Sequence, residues 1–248
     1  MNTIVPFFVT VSNDVRAAVS TKVGGVSPRP LDLNLSFHVG DDAENVTKNR
    51  ELFFGSLGIG VGELAVPQQI HSNTVRRADR PAHYPSCDAL LTDVPGVYLC
   101  VTVADCVPLL IYDPRNRVVA AVHAGWRGSL SQIAKRAVVT LDIEYNSRPE
   151  YLYAFVGPAA GVCCYEVGPE VASEFEGGSI EKRGGKNFLD LKSVNFQHLS
   201  ACGVLQSRIE VCTHCTICKP DLFHSFRRDK QESGRMMGVI GLMNNPNR

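Results

Sequence analysis

Apolar residues recur along the chain with two periods. Short apolar runs at residues 5–11 and 17–21, at 63–78, at 89–92 and 97–107, and at 117–125 read as strands, while Val46, Phe53 and Leu57 keep helical spacing behind Asp41 and Asp42 and ahead of Gly58. The stretch "TVADCVPLLIYD", residues 102–113, reads as a buried strand that carries an aspartate and a cysteine at its centre. "DPRN" behind it is a turn sequence, and "RVVAAVHAG" resumes a strand, so the pair is expected to form a hairpin. From Ser129 onward, Leu130, Ile133, Ala134, Ala137, Val138 and Leu141 mark the buried stripe of a helix. Further on, "YLYAFVGP" reads as a strand, 169–175 as a short helix, "EGGSIEKRGGKN" as a surface loop, 189–202 as a helix and "RIEVCT" as a strand. "HSFRRDKQESGRMMGVIGLM" reads as a closing pair of strands around 230–234. No repeat or linker divides the chain, so residues 1–248 are expected to form one domain.

The hairpin brings chemistry together. If Tyr112 pairs with Arg117 across the turn, Cys106 pairs with His123, with Cβ atoms roughly 4.5–5.5 Å apart on one face and Asp105 on the other. Pro108 makes a bulge plausible, since it cannot donate to the ladder. A thiol facing an imidazole has three readings. It can be a buried core pair, a dyad in which the imidazole lowers the thiol pKa to make a nucleophile, or part of a metal site. Thiolate plus two imidazoles suits Zn²⁺ and leaves a fourth position open. His71, in "QQIHSN", is the donor placed first for the second imidazole, ahead of His38; His83 and His224 fall in loops or turns.

Other residues suggest binding. Arg50 lies on the apolar face of the first helix and needs a partner, an anion or a route to the rim. Arg227 and Arg228, with Arg235 across the closing hairpin, form a set suited to phosphate or carboxylate, or else a solvated face. Gly157 at a strand end offers backbone N–H groups to a ligand. "CTHCTIC" holds Cys212, Cys215 and Cys218; an iron–sulfur or zinc knuckle competes there with reduced thiols at a strand end, and the latter is preferred. Adjacent Cys163 and Cys164 would be strained as a disulfide and read as free thiols near a site.

Composition narrows the classes. With 44% hydrophobic residues and Lys+Arg 25 balancing Asp+Glu 25, the chain can bury a sizeable core and lacks the charge footprint of nucleic-acid or membrane-surface binders. No leader or membrane span is read at the N-terminus, and nine cysteines, an odd number, argue for a reducing cytoplasm rather than a disulfide scaffold.

The segments "GGVS", "HVGDD", "QQIHS", "ADCVPLLIYD", "AAVHAGWRG", "VGPAAGVCCYEVG" and "FRRDKQESGRMMGVI" occur in an order that resembles the laccase-domain family of purine nucleoside phosphorylases, formerly polyphenol oxidases, which includes bacterial peptidoglycan editing factor. The resemblance implies an α+β domain with mixed sheets covered by helices. It also implies Zn²⁺, or Cu²⁺, held by residues matching His71, Cys106 and His123, and phosphorolysis of adenosine, inosine and methylthioadenosine with adenosine deamination. Within it, Cys106, His123 and Asp105 are the catalytic candidates, and Arg50, Gln69, Gly157 and Arg228 the substrate-binding ones, for a purine nucleoside and phosphate. Two rivals stand beside this: a Cys–His thiol enzyme acting on a peptidoglycan precursor, and a copper-dependent polyphenol oxidase, against which stand only seven histidines and no H-x-H pair. The chain departs from the family pattern at "QQIHS", expected closer to "EQVHG", and in its cysteine-rich "THCTICKPDLFHSF", which could add a second metal site.

Overall fold

In a computed structural model, residues 7–8, 14–175 and 178–244 are described. The strands are β1 (Phe7–Phe8), β2 (Val15–Val19), β3 (Leu64–Pro67), β4 (Val75–Arg77), β5 (Ala82–Tyr84), β6 (Ala89–Thr92), β7 (Tyr98–Val103), β8 (Val107–Asp113), β9 (Val118–Ala124), β10 (Tyr153–Val156), β11 (Glu166–Val167), β12 (Ile180–Arg183), β13 (Lys186–Leu189), β14 (Ile209–Val211) and β15 (Met236–Leu242). The helices are α1 (Ala43–Ser56), α2 (Trp126–Leu130), α3 (Ile133–Tyr145), α4 (Pro169–Ala172), α5 (Leu191–Ala201) and α6 (Phe226–Asp229).

Two mixed six-stranded sheets, ordered β1-β2-β15-β7-β3-β5 and β14-β10-β8-β9-β6-β4, stack face to face. Between them lie Val15, Val19, Leu99, Val101, Leu110, Tyr112, Ala121, Phe155 and Ile240. The alternate side chains of β8 and β9, including Leu109, Ile111, Ala120 and Val122, face outward onto Ala134, Ala137, Val138 and Leu141 of α3 and Val194 and Leu199 of α5. On the opposite flank, Phe53 and Phe54 of α1 cover Ala18, Cys100, Met237 and Val239. The result is the α+β arrangement of two mixed sheets between helices that the sequence led us to expect. β8 and β9 are buried at every position because they are covered on both faces, and for that reason they read as continuous apolar runs. Each fully buried Leu or Ile contributes about 1.5–3 kcal/mol.

Several expectations are corrected. "TVADCVPLLIYD" is not one strand, nor is 97–107: β7 ends at Val103 in one sheet, β8 starts at Val107 in the other, and residues 104–106 form the bend between them. The run 63–78 likewise splits into β3 and β4, one in each sheet, with residues 68–74 as the crossing loop. The "GGKN" region is a hairpin rather than a loop, its strands β12 and β13 joined through Gly184 and Gly185, both at positive φ (56° and 76°), as a two-residue turn requires. Residues 230–234 do not turn between two strands; α6 and a 3-10 turn precede the single strand β15. Ser129 is buried within α2 and accepts from Asn195, so the stripe of α3 begins at Ile133 after the break at Ser131 and Gln132. The expected strand at 5–11 lies outside the described residues except at β1. Among the described residues, no helix is long and apolar enough to cross a membrane.

Candidate metal centre

The hairpin between β8 and β9 forms, but in a different register. Tyr112 pairs with Val119 and Pro108 with His123, because a four-residue loop replaces the tight turn: Asp113 Oδ1 accepts from the amides of Arg115 and Asn116, and Arg117 sits at φ 51°. The shift is even, so side chains keep their faces. Cys106, just ahead of β8, therefore approaches His123 diagonally instead of directly.

His71, Cys106 and His123 bring three donor atoms within 4.8 Å of one another. The two imidazole rings meet edge to face at 4.9 Å between centroids. His71 comes from the loop linking the sheets and Cys106 from the bend linking them, so the centre lies where the chain twice crosses between layers. His71 has φ 60° and Asp105, next to Cys106, φ 83°, left-handed conformations that non-glycine residues hold only where surroundings enforce them.

The sequence reading missed the residue that enforces this arrangement. Asp88, fully buried, accepts from the amides of Ile70 (3.2 Å), His71 (3.0 Å) and Ser72 (2.7 Å), from Ser72 Oγ (2.8 Å), and from His123 Nδ1 (2.8 Å). One carboxylate thus shapes the loop of one ligand and orients the ring of another, leaving His123 Nε2 for the cluster. Burial opposes its charge, yet the bonds from His123 and Ser72 pull its pKa down to about 2. The signal available in the sequence was an aspartate immediately before an all-apolar strand, "CDALLT".

Electrostatics favour a thiolate. Burial raises the Cys106 pKa, but the His123 charge, with hydrogen bonds from His123 and His71, carries it down to about 6. Burial likewise disfavours charge on His123, and Cys106 and Asp88 overcome it, raising its pKa to about 9. Gly125 packs closely on the cluster: a Cβ there would stand 3.0 Å from Cys106 Sγ and 3.1 Å from His71 Cδ2, so both ligand side chains would have to give by a few tenths of an ångström. A soft thiolate, two imidazoles and a carboxylate behind one ring are the donor chemistry of a three-ligand metal site, which the residues fit.

The remaining candidates are placed unequally. Asp105 is held by three donors: Thr216 Oγ1 (2.6 Å), Ser225 Oγ (3.0 Å) and the Arg227 amide (2.6 Å) all donate to its carboxylate. Gln69 exchanges two hydrogen bonds with the backbone of Thr102, tying the His71 loop to the end of β7. Arg50 donates to Leu35 O and lies over the Phe37 ring, 4.5 Å from its centroid. Two expectations are corrected. The Gly157 amide donates to Pro108 O at 2.9 Å, so it is not offered to a ligand. Arg228 spends its fork on Asp229 and on the carbonyls of Thr216, Ile217 and Phe223, so it fastens loops rather than facing an anion. Arg235 differs: Nη1 donates to Ser233 O and Gly234 O, the guanidinium lies over the Phe226 ring at 5.4 Å, and its charge is felt by Asp105 and Cys106.

Residues 16–243 match the family described as multi-copper polyphenol oxidoreductase laccase. The chain belongs to this laccase family. Among its relatives, a protein named purine nucleoside phosphorylase from Deinococcus radiodurans is 39% identical over 232 residues, covering 91% of this chain and 88% of that one. Purine nucleoside phosphorylase YlmD of Geobacillus stearothermophilus is 35% identical, covering 91% and 89%. The crystal structure of the Bacillus licheniformis protein YfiH superposes with a TM-score of 0.91 at 33% identity, covering 96% of each chain. The laccase-family fold is therefore shared along nearly the whole length, as the motif order implied.

Proposed function

We propose that this laccase-family chain is a zinc-dependent purine nucleoside phosphorylase acting on adenosine, inosine and methylthioadenosine, with adenosine deamination at the same centre, and that it works as one domain in the cytoplasm. The observation that carries this reading is the convergence of His71, Cys106 and His123 behind Asp88, taken with relatives that bear the name purine nucleoside phosphorylase.

These three residues would hold the metal. Bound there, Zn²⁺ supplies a Lewis acid that polarises a substrate oxygen. The chain supplies the rest. Asp88 keeps His123 Nδ1 protonated and its Nε2 directed inward. Arg235, with Nε and Nη2 outside its two carbonyl bonds, is placed to neutralise phosphate. Ile70, 53% exposed beside His71, offers an apolar surface for the purine. Arg50 and Gln69 shape the rim and the His71 loop. Asp105 is a positioning residue, since three donors occupy its carboxylate.

Chromatography of products from adenosine incubated with the zinc-loaded protein, with and without phosphate, tests this. Adenine plus ribose 1-phosphate only with phosphate is expected, and inosine in both reports deamination. Unchanged adenosine throughout overturns the reading.

One observation favours a second reading: the Cys106 pKa of about 6 also suits a thiolate nucleophile. Alkylation of Cys106 by iodoacetamide, blocked by an acyl substrate and indifferent to zinc, would support it.

A further inference from the structure

A second group of sulfurs lies apart from the first. Residues 161–164 turn after β10 and residues 215–218 turn after β14. A parallel bridge between Ala159 and Cys215, with the Thr216 amide donating to Ala159 O at 3.0 Å, holds the two turns side by side. Four thiols meet there: the Sγ atoms of Cys163, Cys164, Cys215 and Cys218 all lie within 4.8 Å of one another. Cys218 Sγ stands 3.4 Å from Cys163 Sγ and 3.0 Å from Cys164 Sγ.

We propose that Cys163, Cys164, Cys215 and Cys218 form a second metal site, a closed four-thiolate site for Zn²⁺ that clips the two turns together. The contacts are too long for disulfides, whose sulfurs lie about 2.05 Å apart. They fall around the edge of about 3.8 Å that tetrahedral ligation at a Zn–S distance of about 2.3 Å requires. An iron–sulfur cubane would seat each sulfur on a separate iron and spread the four farther apart. The backbone is already arranged for an anionic sulfur: the Gly161 amide donates to Cys215 Sγ at 3.2 Å, and the amides of Ile217 and Cys218 also serve it. Without a cation, thiols with little hydrogen-bonding capacity crowd one another.

On binding, four Sγ–H bonds would lose their protons to solvent, the four thiolates would displace the water ligands of the entering Zn²⁺ to form four Zn–S bonds, and no electron would be transferred. The excess negative charge falls near two guanidinium groups: Arg183 donates to Val162 O in one turn, and Arg228 to Thr216 O and Ile217 O in the other. The same turns reach the first centre, because Ala160 N donates to Asp105 O and Thr216 Oγ1 to the Asp105 carboxylate. Cys212 takes no part; it is packed in the core between the sheets.

The test is zinc per chain, by elemental mass spectrometry, in full-length protein purified under reducing conditions without chelator. Two equivalents are expected in the wild type and one in H123A, which disables only the first centre. One is also expected in C218S, whose replaced thiol is exposed and whose folding is therefore spared. In H123A loaded with Co²⁺, sulfur-to-cobalt charge-transfer absorption and the intense visible bands of tetrahedral cobalt should appear, and they should be absent from H123A/C218S. An H123A chain without zinc, a C218S chain with the wild-type zinc content, or thiol titration showing a Cys164–Cys218 disulfide in the reduced preparation overturns the proposal.

Discussion

The two sulfur-containing clusters contrast in how they are built. His71, Cys106 and His123 sit where the chain crosses between the sheets, with a fully buried carboxylate behind them and a closely packed glycine beside them. The four cysteines sit on two turns, three of them at least partly exposed, held by a single bridge and amide bonds to one sulfur. Three donors, one on β9 and two on segments that cross between the sheets, would leave a metal one open position, while four donors on turns would close the coordination shell. The difference is between a three-donor cluster backed by a buried carboxylate and a four-thiol cluster at the surface.

That contrast can be broken most directly at His123. H123A should remove first-centre zinc and lower turnover by more than the ~10–100-fold typical of losing a group that merely supports a ligand; full turnover in a metal-free variant would sink the zinc mechanism. D88N comes next. It keeps the shape but cannot accept every bond that the carboxylate accepts, so chelator competition should show first-centre metal affinity down ~10–100-fold, with the second cluster unaffected. G125A should act in the same direction and less, through the Cβ 3.0 Å from Cys106 Sγ; an unchanged affinity would mean that the backbone yields there.

The smallest effect compares two buried histidines. His123 has Asp88 and a thiolate beside it, and its pKa rises. His224, with no partner at Nε2 among the described residues, is driven down to about 3 by burial and by the charges of Lys22, Arg235 and Arg228. Because its folded pKa lies below the ordinary 6.5, the unfolded chain binds the extra proton between about pH 3 and 6.5. Stability is therefore full above about pH 6.5 and declines as pH falls, by about 2 kcal/mol at pH 5. Thermal melts from pH 7 to 5 should show a steeper decline for the wild type than for H224Q.

Much of this molecule was legible along the chain. Hydrophobic periodicity located α1, α3, α5 and the hairpin, whose elements are set by local pattern and by the turn residues at 113–116. Pairing across that hairpin placed Cys106 on the face of His123, and this survived an error in register because the slip was two residues and the pleat repeats every two. The residues themselves restricted the chemistry to a thiolate and imidazoles.

Other features were decided only in three dimensions. An apolar run looks the same whether it stays in one sheet or crosses to another, so the breaks at 104–106 and 68–74, which create the centre, were invisible. Nor can spacing show which groups are already satisfied. The donors of Arg228 and Gly157 are committed to carbonyls and, for Arg228, to Asp229, and five donors converge on Asp88, none of which spacing can show. Cys163 and Cys164 stand far in sequence from Cys215 and Cys218. Local pattern therefore determined the elements and the kinds of atom available, because it acts over a few residues. Only the stacking of the two sheets decided which atoms meet, because burial and hydrogen-bond satisfaction are properties of the whole packed chain.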